Sequence, residues 1–190
     1  MVGAILTGTA IFGFGSWVWG MLLITFFVLS SLLSHYKEST KASLAEKFAK
    51  SSRRDIWQAL ANAGAGSLIA GIYATRSHPV LFFAFIGAMA TVNADTWATE
   101  LGVLSKRSPR LITTGKPVEP GTSGGVSPLG TLATLAGGFV IGLVATLLMI
   151  VDELLGGRGV SLTGGDSYAL ALILPFVAAF SGLVGSLCDS

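Results

Sequence analysis

Long apolar runs dominate this sequence and restrict what it can fold into. Five of them are about 20 residues or longer, the length at which an α-helix crosses the roughly 30 Å hydrocarbon core of a bilayer. They cover residues 5–33, 56–75, 79–104, 126–151 and 168–188. The pattern predicts an all-α, polytopic transmembrane helical bundle with about five spanning helices, forming a single transmembrane domain over residues 1–190.

The composition supports the same class. Only 12% of the residues are charged, against roughly 25% in an ordinary soluble domain, and the mean hydropathy is +0.73. The 25 glycines suit closely packed membrane helices. The single cysteine, Cys188, excludes an internal disulfide and a cysteine metal cluster, so we expect it to be a packing residue.

The first apolar run could be mistaken for a cleaved signal peptide. It lacks a basic segment before it, and it is longer than the usual apolar core of such a peptide, about 7–15 residues. We therefore predict a membrane helix, bent near Gly13, Gly15 and Gly20.

Positive charge is concentrated in two of the predicted loops, residues 34–55 and 105–127. The other two loops contain only Arg76 and Arg158. By the positive-inside rule, the two basic loops face the cytoplasm, the N-terminus lies outside and Ser190 lies inside. The glycine-rich outer loop, residues 152–167, reads as a connection without a role. The basic residues of the two cytoplasmic loops are Lys37, Lys41, Lys47, Lys50, Arg53, Arg54, Lys106, Arg107, Arg110 and Lys116.

The first basic loop and the helix after it contain further polar patterns. Apolar residues recur at helical spacing between Thr40 and Lys50, which predicts a short amphipathic helix on the bilayer surface. The basic residues of this loop have two possible roles. They set only the orientation of the chain in the membrane, or some of them contact the phosphate of a nucleotide or a lipid. Arg54, Gln58 and Asn62 then form one polar stripe. Such a stripe should face other helices or a wet cavity, although Asn62 could simply bond across a helix interface.

Two carboxylates, Asp95 and Glu100, lie in the segment Asn93-Ala-Asp-Thr-Trp-Ala-Thr-Glu100 at the end of an apolar run. An unpaired acid there costs at least about 2.5 kcal/mol, which suggests that these acids are used. Mg²⁺ suits them, because it takes one or two carboxylates together with waters and phosphates. On a regular helix they point about 140° apart, so they share one ion only if the helix is distorted, and otherwise flank a cleft at different depths. A structural ion pair with a base and an ion pathway are the alternatives.

The loop that follows combines bases with glycines. Arg110, Thr113, Thr114 and Lys116 precede Pro120-Gly-Thr-Ser-Gly-Gly-Val-Ser127. Glycines allow close backbone approach, and consecutive amides can form an anion-binding nest. The start of the next helix adds to the same field. We predict phosphate binding by this loop, with a plain connection as the alternative. The predicted binding residues are Thr113, Gly121, Thr122, Ser123, Gly124, Gly125 and Ser127.

Three motifs together resemble one integral membrane family whose characterised plant members are phytyl-phosphate kinases. They are Ala-Asp95-Thr-Trp-Ala-Thr-Glu100-Leu-Gly, Pro109-Arg-Leu-Ile-Thr-Thr and the glycine-rich run through Ser127. The resemblance extends to Arg54-Asp-Ile-Trp-Gln-Ala-Leu-Ala-Asn62 and to Gly185-Ser-Leu-Cys-Asp-Ser190. The family is distantly similar to phytol and dolichol kinases and to CDP-diacylglycerol synthase. Its members continue past Ser190 into another glycine-rich segment, so we expect further helices and part of the active site to be missing from this chain.

The resemblance implies a CTP-dependent or other nucleotide-dependent kinase that converts an isoprenoid monophosphate such as phytyl phosphate to the diphosphate. Asp95 and Glu100 would then be catalytic metal ligands for Mg²⁺, with Asn93 and Asp189 as lesser candidates. Arg110 and Lys116 would act on the nucleotide phosphates, and Arg54 or Lys37 would meet the acceptor phosphate.

Partners and competing functions follow from this interpretation. We expect a nucleotide triphosphate, an isoprenoid monophosphate and membrane lipid as partners and no nucleic acid, while a homodimer stays open. The site would face the cytoplasm in a multi-pass membrane protein. An ion-coupled transporter would bind its substrate near the midplane, and a cytidylyltransferase would use the same groups but release pyrophosphate.

Overall fold

The computed structural model describes residues 2–36, 56–120, 122–157 and 167–189. These parts are almost entirely helical, so the predicted all-α class is confirmed. A short antiparallel sheet of two strands, β1 (Arg110–Leu111) and β2 (Gly125–Val126), lies in the loop over residues 103–127. The helices are α1 (Val2–Phe14), α2 (Trp17–His35), α3 (Ile56–Thr75), α4 (Pro79–Gly102), α5 (Pro128–Leu154) and α6 (Ser167–Asp189).

Several of these helices have the dimensions of membrane spans. Among the described residues, α2, α4, α5 and the Leu170–Asp189 part of α6 are long and apolar enough to cross a bilayer. Helix α3 contains 20 residues, which corresponds to about 30 Å of helix. The prediction of about five spans in a multi-pass membrane protein is therefore confirmed.

The first apolar run is two helices rather than one. Helix α1 ends at Phe14, and α2 begins at Trp17 after Ser16, which has an extended backbone. In a straight helix, Phe12 and Gly20 would be about 12 Å apart along the axis. Instead, a Cβ on Gly20 would overlap the Phe12 ring, so the chain turns sharply between them. The single span over residues 5–33 was wrong, because hydropathy does not detect a turn inside apolar sequence, but the predicted bend near Gly15 is confirmed.

Helices α4, α5 and α6 form the most closely packed part of the bundle. A Cβ on Gly138 would lie 2.7 Å from the carbonyl oxygen of Ala178, and one on Gly142 would lie 2.6 Å from Cα of Pro175. A Cβ on Gly182 would come within 2.9 Å of Cβ of Ala94. Side chains at these glycines would therefore push the backbones apart, so glycine holds the three helices together.

An aromatic cluster fills the bundle near the start of α2 and α4. The ring of Trp19 lies 4.9 Å from that of Tyr73, 5.4 Å from that of Phe82 and 4.5 Å from that of Phe85, measured between centroids. Beside it, Trp17 Nε1 donates a 2.5 Å hydrogen bond to Asp152 Oδ1 at the C-terminal end of α5. We call this end of the bundle the opposite end.

The other end of the bundle, which we call the site end, contains the last turns of α2, α4 and α6. Ser34 of α2 donates a 2.8 Å hydrogen bond to Glu100 of α4, and Ser186 of α6 donates one of 3.1 Å to Asp95. Helix α5 begins here, since a Cβ on Gly102 would lie 3.5 Å from Cα of Gly130. Consequently α2, α4 and α6 run in one direction and α5 runs in the other.

Some sequence predictions fall outside the described residues. They are the amphipathic helix between Thr40 and Lys50, the residues Lys37, Arg54 and Gly121, and the side chains of Gln58 and Asn62.

Candidate functional site

Asp95 lies at the contact between α4 and α6, near the site end. Its Oδ1 accepts the hydrogen bond from Ser186, a residue that is only 5% exposed. Asp189 lies three residues beyond Ser186 on the same helix, so the two share a helix face, and it is exposed. Helix packing therefore brings together two carboxylates that are far apart in the sequence, which is an arrangement suited to a cation.

Glu100 faces a different neighbour. It accepts the hydrogen bond from Ser34 of α2, whereas Asp95 contacts α6. Helix α4 is continuous from Pro79 to Gly102, so the distortion that a shared ion would require is not observed. The two acids lie about 7.5 Å apart along the helix axis, on different sides of α4.

A complete set of protein metal ligands is not formed within the described ranges. No three His, Cys, Asp or Glu side chains in them come together around one point. Mg²⁺ commonly binds one or two carboxylates and fills its remaining positions with water and substrate phosphates. The carboxylate oxygens of Asp95 and Asp189 fit that mode of binding. The binding of Mg²⁺ at this place stays a prediction.

Asn93 is fully buried and faces α5. Its Nδ2 donates a 2.8 Å hydrogen bond to the carbonyl oxygen of Gly137. A Cβ on Gly137 would lie 3.1 Å from Cα of Ala94, so the two helices are close enough for this bond. The amide therefore belongs to the α4–α5 contact, away from the pair formed by Asp95 and Asp189.

The basic part of the loop is a tight hairpin. The amide of Leu111 donates to the carbonyl of Lys116 over 2.9 Å, and that of Gly115 donates to the carbonyl of Leu111 over 2.7 Å. Gly115 has a φ of 67°, which glycine adopts without a steric penalty. Arg110 Nη1 bonds the Gly115 carbonyl over 3.0 Å. The hairpin thus holds Arg110, Thr113, Thr114 and Lys116 exposed at the site end.

The glycine-rich segment folds back on this hairpin. The amide of Ile112 donates to the carbonyl of Gly124, which has a φ of 76°. The amides of Thr122 and Gly125 donate to carbonyls inside the loop, those of Glu119 and Thr122 respectively. Two of the amides that the sequence assigned to phosphate therefore stabilise the loop itself, while Ser123 is exposed on its surface.

Ser127 caps the first turn of α5. Its Oγ accepts a 3.0 Å hydrogen bond from the amide of Gly130, and Pro128 follows at the first helical position. Serine before proline is a typical helix start, so the predicted start at Val126 was two residues too early. The hydroxyl still has its proton to donate, and its role in phosphate binding stays a prediction.

Sequence reasoning missed Ser34 and Ser186, the two hydroxyls that contact the acids. Ser34 directly follows one apolar run and Ser186 lies near the end of another, where a serine has no distinctive pattern. The spacing of Ser186 and Asp189 was the available signal, since residues i and i+3 share a helix face.

Comparison with known proteins supports the prediction from the motifs. The model of the family described as "Integral membrane protein DUF92" matches residues 1–190. The chain belongs to this family. The membership that we predicted, in a phytyl-phosphate-kinase-like membrane family, is thereby confirmed.

Three relatives show how far the similarity extends. Protein PGR of Arabidopsis thaliana is 36% identical over 186 residues, covering 90% of the chain and 62% of that protein. An uncharacterized membrane protein of Methanocaldococcus jannaschii is 34% identical over 151 residues, covering 78% and 60%. One of Synechocystis is 28% identical over 176 residues, covering 90% and 63%. The chain thus spans about three fifths of these relatives, and no solved structure matches it.

Proposed function

We propose that the protein is a membrane-embedded kinase that transfers a phosphoryl group from CTP, or another nucleotide triphosphate, to an isoprenoid monophosphate such as phytyl phosphate. The observation that carries the proposal is the placement of Asp95, Ser186 and Asp189 at the end of the bundle that also holds Arg110 and Lys116. Acids that suit a divalent cation thus share one end of the bundle with bases that suit phosphate.

This arrangement matches what phosphoryl transfer demands. A terminal oxygen of the acceptor phosphate attacks the γ-phosphorus, the bond from that phosphorus to the β,γ-bridging oxygen breaks, and the nucleoside diphosphate leaves. Positioning and neutralisation of charge supply most of the catalysis. Arg110 and Lys116 would offset the repulsion between the two anions. Bound at Asp95 and Asp189, Mg²⁺ would supply Lewis-acid neutralisation of the phosphate oxygens.

The acceptor itself explains why no strong base is required. A phosphate monoester has a second pKa near 6, so its attacking oxygen is already ionised at neutral pH. Its isoprenoid tail can stay in the hydrocarbon core while its phosphate reaches the site end. A membrane-spanning helix that carries acids in its last two turns provides that geometry.

The competing functions are less well supported by the geometry. In a carrier the substrate site lies near the midplane on broken helices. Asp95 instead lies about 10 Å from the end of an unbroken α4. A cytidylyltransferase would use the same groups as the kinase, so the two are separated by their products.

The proposal is tested by the products formed by purified protein in detergent with CTP, Mg²⁺ and phytyl phosphate. We expect CDP and phytyl diphosphate. Pyrophosphate together with a CDP-lipid would instead establish the cytidylyltransferase. A melting temperature that no nucleotide raises, with or without Mg²⁺, and the absence of any nucleotide product would contradict both enzymes.

A further inference from the structure

Three buried side-chain atoms lack a hydrogen-bond partner within the described part of the chain. They are Ser30 Oγ, Asn93 Oδ1 and Trp97 Nε1. Buried polar groups are nearly always paired in native proteins, so each of them calls for an explanation. Ser30 is 5% exposed and Asn93 is fully buried.

These atoms are not scattered through the bundle. Ser30 lies one helical turn before Ser34, the residue of α2 that contacts Glu100, and so faces the same way. On α4, Asn93, Trp97 and Glu100 fall within about 60° of one another around the axis. Because α2 and α4 run in the same direction, the two stripes lie side by side. We call the region between α2, α4 and α5 that contains these atoms the Glu100 crevice.

Helix α5 closes the crevice from the third side. A Cβ on Gly137 of α5 would lie 3.1 Å from Cγ of Trp97, and the carbonyl of Gly137 accepts the bond from Asn93. Glycine at this position lets the backbone of α5 pack closely against the indole ring. Deeper in the bundle the same faces are apolar, with Phe26 on α2 and Met89 on α4 buried. The polar stripe therefore begins inside the bundle and leads to the site end.

The donor and acceptor properties of the unpaired atoms indicate what kind of group would bind them. The carbonyl of Gly137 only accepts, so it must receive Asn93 Nδ2, and Asn93 Oδ1 is then an acceptor. Trp97 Nε1 only donates, whereas Ser30 Oγ can do both. A partner for such a set must accept from one group and donate to another. An O–H group meets that requirement, whereas an anion offers no proton to Asn93 and a metal ion offers no acceptor to Trp97.

We propose that the Glu100 crevice is a second binding site, which takes O–H groups, supplied either by water or by the hydroxyl head of a lipid alcohol. It lies on the side of α4 towards α2 and α5, whereas Asp95 lies towards α6. The two acids then serve different sites: Asp95 takes part in the cation and phosphate site, and Glu100 terminates a path for neutral hydroxyl groups.

The first test uses substitutions that remove an unpaired polar group: Ser30→Ala removes one hydroxyl, and Trp97→Phe removes the indole N–H together with part of the ring. If hydroxyl groups fill the crevice, Trp97→Phe and Ser30→Ala each lower the melting temperature in detergent by about 2–4 °C. Trp17→Phe is the reference variant, because it removes an indole N–H that donates a hydrogen bond to Asp152. Its change in melting temperature shows what the loss of such a bonded N–H costs. Ser31→Ala is the matched serine control, because Ser31 is exposed. An unchanged or raised melting temperature in both Trp97→Phe and Ser30→Ala would overturn the proposal.

The second test separates the two sources of the hydroxyl group. A long-chain primary alcohol and its methyl ether are added to wild-type protein without nucleotide. Stabilisation by the alcohol alone, abolished in Trp97→Phe, indicates a lipid hydroxyl. No effect of either compound, combined with the lowered melting temperatures above, indicates water. Neither test requires kinase activity. A negative result here would therefore contradict the hydroxyl site without bearing on the proposed kinase function.

Discussion

Ser186 and Asp95 are 91 residues apart in the chain, yet the hydroxyl of one donates to the carboxylate of the other over 3.1 Å. The contact joins α4, about two turns before its end, to the last turn of α6. It depends on the glycines between these helices, since a Cβ on Gly182 would lie 2.9 Å from Cβ of Ala94. The position of the acid that we assign to cation binding is thus set by helix packing as well as by its own helix.

The first prediction concerns Asp95. Asp95→Asn keeps an oxygen that can accept from Ser186 but loses the charge that holds a cation, so we expect folding to persist and kcat to fall by about 10²-fold or more. Activity and melting temperature are measured across Mg²⁺ concentrations. Asp152→Asn, which changes a buried acid at the opposite end, is the control and should retain activity. Turnover of Asp95→Asn equal to wild type at limiting Mg²⁺ would sink the assignment.

The second prediction concerns the exposed bases of the hairpin. Arg110→Ala or Lys116→Ala should lower kcat/KM by about 10²-fold, the range for removing one group that stabilises charge. His35→Gln should stay within a few-fold, because a monophosphate acceptor needs no general base. His35 is exposed at the end of α2. Faster phosphorylation of the free alcohol, with strict dependence on His35, would refute this version of the mechanism.

The third prediction concerns the packing of α5 against α6. A Cβ on Gly142 would lie 2.6 Å from Cα of Pro175, so Gly142→Ala should destabilise the protein by about 1–3 kcal/mol. Gly71→Ala in α3 is the matched control, because a Cβ there meets nothing within 4 Å. That control should be neutral or stabilising, by up to about 1 kcal/mol. Equal melting temperatures of the two variants would argue against the tight α5–α6 contact.

The fourth prediction concerns the orientation of the chain in the membrane. With Cys188→Ser as background, a cysteine at Ser123 should react with impermeant thiol reagents only from the cytoplasmic side. A cysteine at Ser77, in the short connection between α3 and α4, should react only from the other side. Both positions are exposed. Labelling of the two positions from the same side would overturn the proposed topology.

Much of the architecture could be predicted because its causes are local. An apolar run of about 20 residues is long enough to form a membrane helix, so the runs that became α3 to α6 were found with small errors at their ends. The start of α5 shows the size of such errors, because the helix begins at Pro128, two residues beyond the predicted boundary at Val126. For the turn at Ser16, a bend was predicted but the division into two helices was not. Glycine indicates that a helix can break at a position, but it does not show that the helix breaks there.

The sequence by itself determined the membrane class, the helical fold and the residue types available for chemistry, because these depend on composition and on spacing within single helices. Only the tertiary structure decided which partners those residues meet. It directs Asp95 to Ser186 on α6 and Glu100 to Ser34 on α2, and it leaves Asn93 Oδ1 and Trp97 Nε1 buried without a partner among the described residues. Helical periodicity places a side chain on a face, but which helix covers that face depends on contacts between distant segments, and these contacts follow from close packing at glycine.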